Sequence, residues 1–132
     1  MRAVSSSISR TLVPNSVLTC ADNSGAKTLM LINKVGKAGK KGRMASSGVG
    51  DIIMASVKVG SPQYVKKVVR VVIIRQKQPI RRANGMRIRF EDNAGVLIND
   101  ANLPIGTEVK GPMAREVVER YIKLASIASR VV

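Results

Sequence analysis

The sequence predicts a mainly β protein, a small five-stranded antiparallel barrel with a short helical segment at its carboxy-terminal end. Three observations carry this reading. Short runs rich in Val, Ile and Leu recur between Gly, Asn and Asp turn signals, as in small closed barrels. The 132 residues are 45% hydrophobic and 23% charged, a globular composition. Beyond residue 110 the apolar spacing changes from period 2 to period 3.6. Closing the strands into an OB-like barrel also removes exposed edges.

Val17 to Cys20 (VLTC) is the first β-like run, ended by the turn-rich Asp22-Asn23-Ser24-Gly25. Lys27 to Lys34 (KTLMLINK) is the second, followed by Gly36, Gly39 and Gly42 among Lys37, Lys40, Lys41 and Arg43. Ile52 to Val59 starts after Gly48-Val49-Gly50-Asp51 and stops at Gly60-Ser61-Pro62. Val65 to Arg75 (VKKVVRVVIIR) is dense in β-branched residues. Gln76 to Gly85 forms a basic loop punctuated by Pro79 and Asn84-Gly85. Met86 to Phe90 then alternates, with Arg87 and Arg89 opposite the apolar side chains. Gly95 to Ile98 closes the set. Gly111-Pro112 resembles a helix start, Pro suiting the first helical position. Met113, Val117, Tyr121 and Leu124, with Val118, Ile122 and Ala125, then make one helical stripe, and the small residues near Ser126 and Ser129 suggest two short helices. One domain over 1–132 is expected, with the barrel in 1–110 and the helical tail of 111–132 packed on it.

Composition removes whole classes of function. There is no histidine, which excludes Ser-His-Asp, Cys-His and zinc-histidine sites. Cys20 is the only cysteine, so no internal disulfide or multi-cysteine metal site exists; inside an apolar run it reads as a small core residue. Neither a catalytic site, a metal nor a cofactor is expected. No apolar run approaches the ~18–20 residues of a membrane helix. The opening MRAVSSSISRTLVPNS lacks the apolar stretch of about 7–15 residues found in a secretory signal. A cytoplasmic chain with no membrane partner is expected.

Charge is the most informative feature. The 23 Lys and Arg against 8 Asp and Glu give +15, and ten basic residues but no acid lie between Asp51 and Glu91. Residues 91–132 are nearly balanced, with five basic and six acidic side chains. A one-signed surface repels itself unless a polyanion covers it and releases its counterions. Nucleic acid is therefore the expected partner. Tyr64, Phe90 and Tyr121 are the only aromatics, too few for the stacking platforms of single-strand binders. Recognition should rest on phosphates, 2′-hydroxyls and the shape of a folded RNA. A free OB-type factor binding single strands is the alternative function.

Candidate contacts follow from the same reasoning. The stretch VGKAGKKGR has no Ser or Thr after its lysine and no helix next to it, so it is not a nucleotide-hydrolysing loop. Its glycines allow close approach to a sugar-phosphate chain that Lys37, Lys40, Lys41 and Arg43 would neutralise, which is the better reading; a solvated hairpin tip is the alternative. The pair Lys66-Lys67 and the cluster Lys77, Arg81, Arg82, Arg87 and Arg89 are further candidates, the arginines because guanidinium forks onto phosphate. A solubilising guard on an edge strand would look the same. Asp22, Asp51, Glu91 and Asp92 sit in turn signals and read as structural carboxylates. Met30, Met54, Met86 and Met113 read as core gap-fillers. The tail stripe, Met113, Arg115, Val117, Tyr121 and Leu124, either packs on its own barrel or contacts a protein.

Several segments together resemble one known family, the universal ribosomal protein fourteen of the large subunit. They are Cys20 to Ala26 (CADNSGA), Gly48 to Lys58 (GVGDIIMASVK), Val71 to Ile98 (VVIIRQKQPIRRANGMRIRFEDNAGVLI) and Gly106 to Val117 (GTEVKGPMAREV). Arg70 departs from the pattern, standing where the family has a small residue before the aliphatic triplet. The CADN wording is closer to archaeal and eukaryotic members. The resemblance implies a five-stranded barrel with two small carboxy-terminal helices, seated on large-subunit ribosomal RNA at the subunit interface. It also implies neighbouring ribosomal proteins, protein three and the eukaryotic-type protein twenty-four, small-subunit RNA at intersubunit bridges, and the anti-association factor six.

Overall fold

Five strands close on themselves in the computed structural model, which describes residues 4–36 and 39–132. The elements run β1 (Ser7–Ile8), β2 (Val17–Cys20), β3 (Ala26–Lys34), β4 (Ile52–Gly60), β5 (Val68–Arg75), β6 (Ile80–Arg81), β7 (Arg87–Ile88), β8 (Ala94–Ile98), β9 (Val109–Met113), α1 (Arg115–Arg120), α2 (Ile122–Ala125) and β10 (Ala128–Val131). The barrel order is β2-β3-β4-β5-β8. Four of its seams are antiparallel, as expected. The β2–β8 seam is parallel, so the barrel is mixed rather than wholly antiparallel.

Alternation decides which side chains fill the barrel. Leu31 lies opposite Ala55, Leu29 opposite Val57, and Ile53 opposite Val71, which in turn faces Leu97; all seven are fully buried. Ile73 faces Gly95, where an added Cβ would collide with Val71 Cγ1. Glycine is needed there for two strands to approach closely. From Val71 onward β5 is buried on both faces, as is all of β8, and both read as continuous apolar runs.

The cover on β5 comes from the carboxy-terminal segment, whose Ala114 N–H donates to Ile74 O at 3.2 Å. This segment differs from the expected tail. Gly111-Pro112 is not a helix start: Gly111 has φ +79°, and both residues lie within β9. The buried Arg75 guanidinium donates to Lys110 O and Pro112 O, each at 2.9 Å, and ties that backbone to β5. β10 pairs with β9 in parallel on a further side. Two short helices do form, and the break falls at Tyr121 (φ −128°, ψ 87°) rather than near Ser126.

Candidate nucleic-acid interface

A second small sheet, β1-β6-β7, stands beside the barrel and presents two unlike faces. Ile8, Ile80 and Ile88 lie in one row and pack toward the core. Ser7, Arg81 and Arg87 make the opposite, exposed row. Arg81 and Arg87 are direct cross-strand partners, which brings two like charges to about 5 Å between Cβ atoms. Arg89 follows two residues on and is also exposed. Such an arrangement is unfavourable in the free protein and favourable against phosphate.

Period 2 also separates Arg82 from Arg81. Arg82 turns inward, where Nε donates to Glu116 Oε1 at 2.9 Å and Nη2 reaches Glu116 Oε2 and the main-chain oxygen of Val132. Ser6 Oγ donates to the same carboxylate at 2.8 Å. Burial by itself raises the Glu116 pKa, but the bonds from Arg82 and Ser6 prevail and hold it below 4.5. Arg82 therefore braces the hairpin that carries Arg81, and its guanidinium is not presented outward.

The 35–51 loop and the β6-β7 hairpin rise from the same end of the barrel. Gln76 joins them: its Oε1 accepts from Val49 N–H at 2.9 Å while its amide donates to Ser9 O at 2.9 Å and Gln78 O at 3.1 Å. Lys40, Lys41 and Arg43 are exposed on that loop; Lys37 lies outside the described residues. Lys77 is exposed beside the hairpin, its backbone N–H donating to Asn93 Oδ1. Lys66 and Lys67 are exposed in the β4–β5 turn. Lys66 N–H donates to Val57 O and Lys67 O accepts from Val57 N–H, so the pair sits roughly 17 Å along β4 from the strand's start at the loop. The structure thus gathers the loop cations and the hairpin arginines and leaves Lys66-Lys67 apart.

The tail stripe resolves toward self-packing. Met113, Val117 and Leu124 are fully buried and Tyr121 nearly so, as the self-packing alternative requires. Arg115 and Ile122 are exposed on the outer side. Met86, expected in the core, is also exposed at the hairpin end.

The carboxylates serve the fold. Asp22 accepts from Ser24 N–H and Oγ, from Leu97 N–H and from the Cys20 thiol, tying β2 to β8. Burial above all pushes that thiol up to about 12, so Cys20 stays protonated and unreactive. Asp92 takes the fork of Arg75 at 2.9 and 3.1 Å. Asp51 does more than cap a turn. It accepts from Gly48 N–H at 2.9 Å and gathers Lys34, Arg10 and Arg120 at 3.0, 3.5 and 3.6 Å. Sequence reasoning missed this cluster, whose cations come from three distant segments. Among the described residues no group of three His, Cys, Asp or Glu side chains could hold a metal, and no helix is long and apolar enough to cross a membrane.

The fold is a small barrel with exposed cations on the 35–51 loop and the β6-β7 hairpin and with Phe90 and Tyr121 buried, a surface whose charge suits a polyanion. The family model described as ribosomal protein L14p/L23e matches residues 11–132. Over all 132 residues, and the whole length of each relative, the chain is 46% identical to large ribosomal subunit protein uL14 of Halorubrum lacusprofundi. It is 48% identical, with the same full coverage, to the proteins of that name from Methanoregula boonei and Methanocella arvoryzae. The chain belongs to the L14p/L23e family of ribosomal proteins, which is not a family of enzymes.

Proposed function

We propose that this chain works as one domain and as a structural constituent of the large ribosomal subunit, in the cytoplasm, where it binds large-subunit RNA and neighbouring ribosomal proteins. The RNA is met by the barrel end that carries Lys40, Lys41, Arg43, Arg81, Arg87 and Arg89. One observation carries this reading: Arg81 and Arg87 sit opposite each other on an exposed sheet face, a like-charge pair that is unfavourable alone and becomes favourable with an anion across it. Family membership supports a ribosomal component over a free single-strand factor, as does the burial of Phe90 and Tyr121.

The remaining surface is assigned to the partners that the family resemblance implies. Protein three and the eukaryotic-type protein twenty-four would adjoin the exposed side of the tail, at Arg115 and Ile122. Lys66 and Lys67, apart from that end, suit small-subunit RNA at a bridge, and the anti-association factor six would use the face left open in the free subunit. Filter binding of the full chain to large-subunit RNA fragments, between 50 and 200 mM salt, tests the RNA assignment. If about six to ten phosphates are contacted, affinity falls roughly 10³–10⁵-fold across that range. A flat response overturns it. Sedimentation with large subunits after a moderate salt wash is expected, and full release would favour the transient factor.

A further inference from the structure

We propose that the cleft over Asp51 is a phosphate pocket, and that its occupant is a backbone phosphate of the bound RNA; this rests on the RNA-binding reading above. The cleft measures about 470 Å³ and is walled by Arg10, Lys34, Arg70 and Arg120 around the buried Asp51 carboxylate. Its volume lies in the usual range of ligand sites, roughly 300–1,000 Å³.

Three features point to an oxyanion. Charge comes first. Four cations surround one buried carboxylate, and among the described residues the other acid paired with them is Asp100, fully exposed and 3.9 Å from Arg70. The surplus is positive in a partly enclosed space, where screening is weak. An unmet donor comes second. Arg70 Nη2 donates to Asn102 Oδ1 at 3.1 Å, but Arg70 Nε is buried and has no acceptor. A buried N–H without a partner is costly, and a turn of the Arg70 side chain toward a phosphate oxygen in the cleft would satisfy it. Continuity comes third. Arg10 and Lys34 also wall the adjoining cleft of about 270 Å³ that contains Lys40 and Arg43. A sugar-phosphate chain following the 35–51 loop would therefore lead into the pocket. Asp51 in this account is a positioning residue: it holds Lys34, Arg10 and Arg120 in place before the anion arrives.

The test uses the full chain and two probes. Inorganic phosphate, titrated at constant ionic strength with chloride as control, should give saturable amide shifts at Gly36, Gly50, Asp51 and Asn102, and Arg70→Gln should abolish them. In filter binding to large-subunit RNA, Arg70→Gln and Arg10→Gln should each lower the salt slope by about one. Arg10 is largely exposed, so its variant keeps the test open if Arg70→Gln misfolds. Normal RNA binding by wild type, with both slopes unchanged and no phosphate shifts, overturns the pocket and leaves the RNA reading intact. Phosphate shifts with unchanged slopes overturn the RNA occupant in favour of free phosphate. Saturation by polyglutamate but not phosphate overturns it in favour of an acidic protein. Failure of the wild type to bind RNA at all counts against the broader function instead.

Discussion

At the scale of single residues, the Arg82–Glu116 pair has the sharpest consequences. Glu116 is 3% exposed and its carboxylate is held by Arg82 and Ser6. Removing the cation strands a buried charge, so Arg82→Ala should cost about 3–5 kcal/mol, read as a fall in urea midpoint. The RNA salt slope should barely move, because Arg82 faces inward; a loss of slope equal to that of Arg81→Ala would return Arg82 to the interface. The same pair sets a pH dependence. The folded-state pKa of Glu116 is depressed, so its stabilisation is complete above the unfolded value near 4.5 and is lost as pH falls through the folded value. Urea unfolding between pH 6.5 and 3 should show that decline. Glu116→Gln should be less stable at neutral pH and should lose stability less steeply on acidification. An unaltered profile in the variant would remove Glu116 from the account.

At the scale of elements, the β6-β7 hairpin trades stability for contact. Arg87→Thr removes one member of the like-charge pair with Arg81 and installs a good strand former. The free protein should gain about 0.2–1 kcal/mol while the RNA salt slope drops by about one. Destabilisation with undiminished binding would mean the hairpin arginines serve the fold. The five barrel strands were legible because their inward rows are apolar runs punctuated by turn residues, Val71 to Ile74 above all. β9 and β10 were not. VKGPM contains the two residues least suited to a strand, and ASRV has no apolar alternation; both are held by partners distant in the chain, Arg75 and one another. The Arg81-Arg82 pair was half legible. Adjacent strand residues must point to opposite faces, but which faced outward depended on Glu116, 34 residues away from Arg82. The Asp51 cluster left no local trace, since Arg10, Lys34 and Arg120 meet only once the barrel closes.

At the scale of the whole molecule, the charge of +15 makes stability and binding respond to salt with opposite signs. In the free protein the exposed cations of the loop, the hairpin and the β4–β5 turn repel one another, and the Debye length shrinks from about 10 Å at 0.1 M to about 3 Å at 1 M. Screening removes that repulsion. The ion pairs of Asp51, Glu116 and Asp92 involve buried groups and lose far less to screening. The melting temperature of the free chain should therefore rise with sodium chloride over this range while RNA affinity falls. A polyanion such as heparin, added at low salt, should raise the melting temperature by binding only the folded arrangement of cations. With excess salt present as well, its effect should vanish, because counterion release no longer drives the association. A melting temperature that falls as salt is added would mean attractive surface pairs outweigh the repulsion, and the cationic coat would then need no polyanion to explain it.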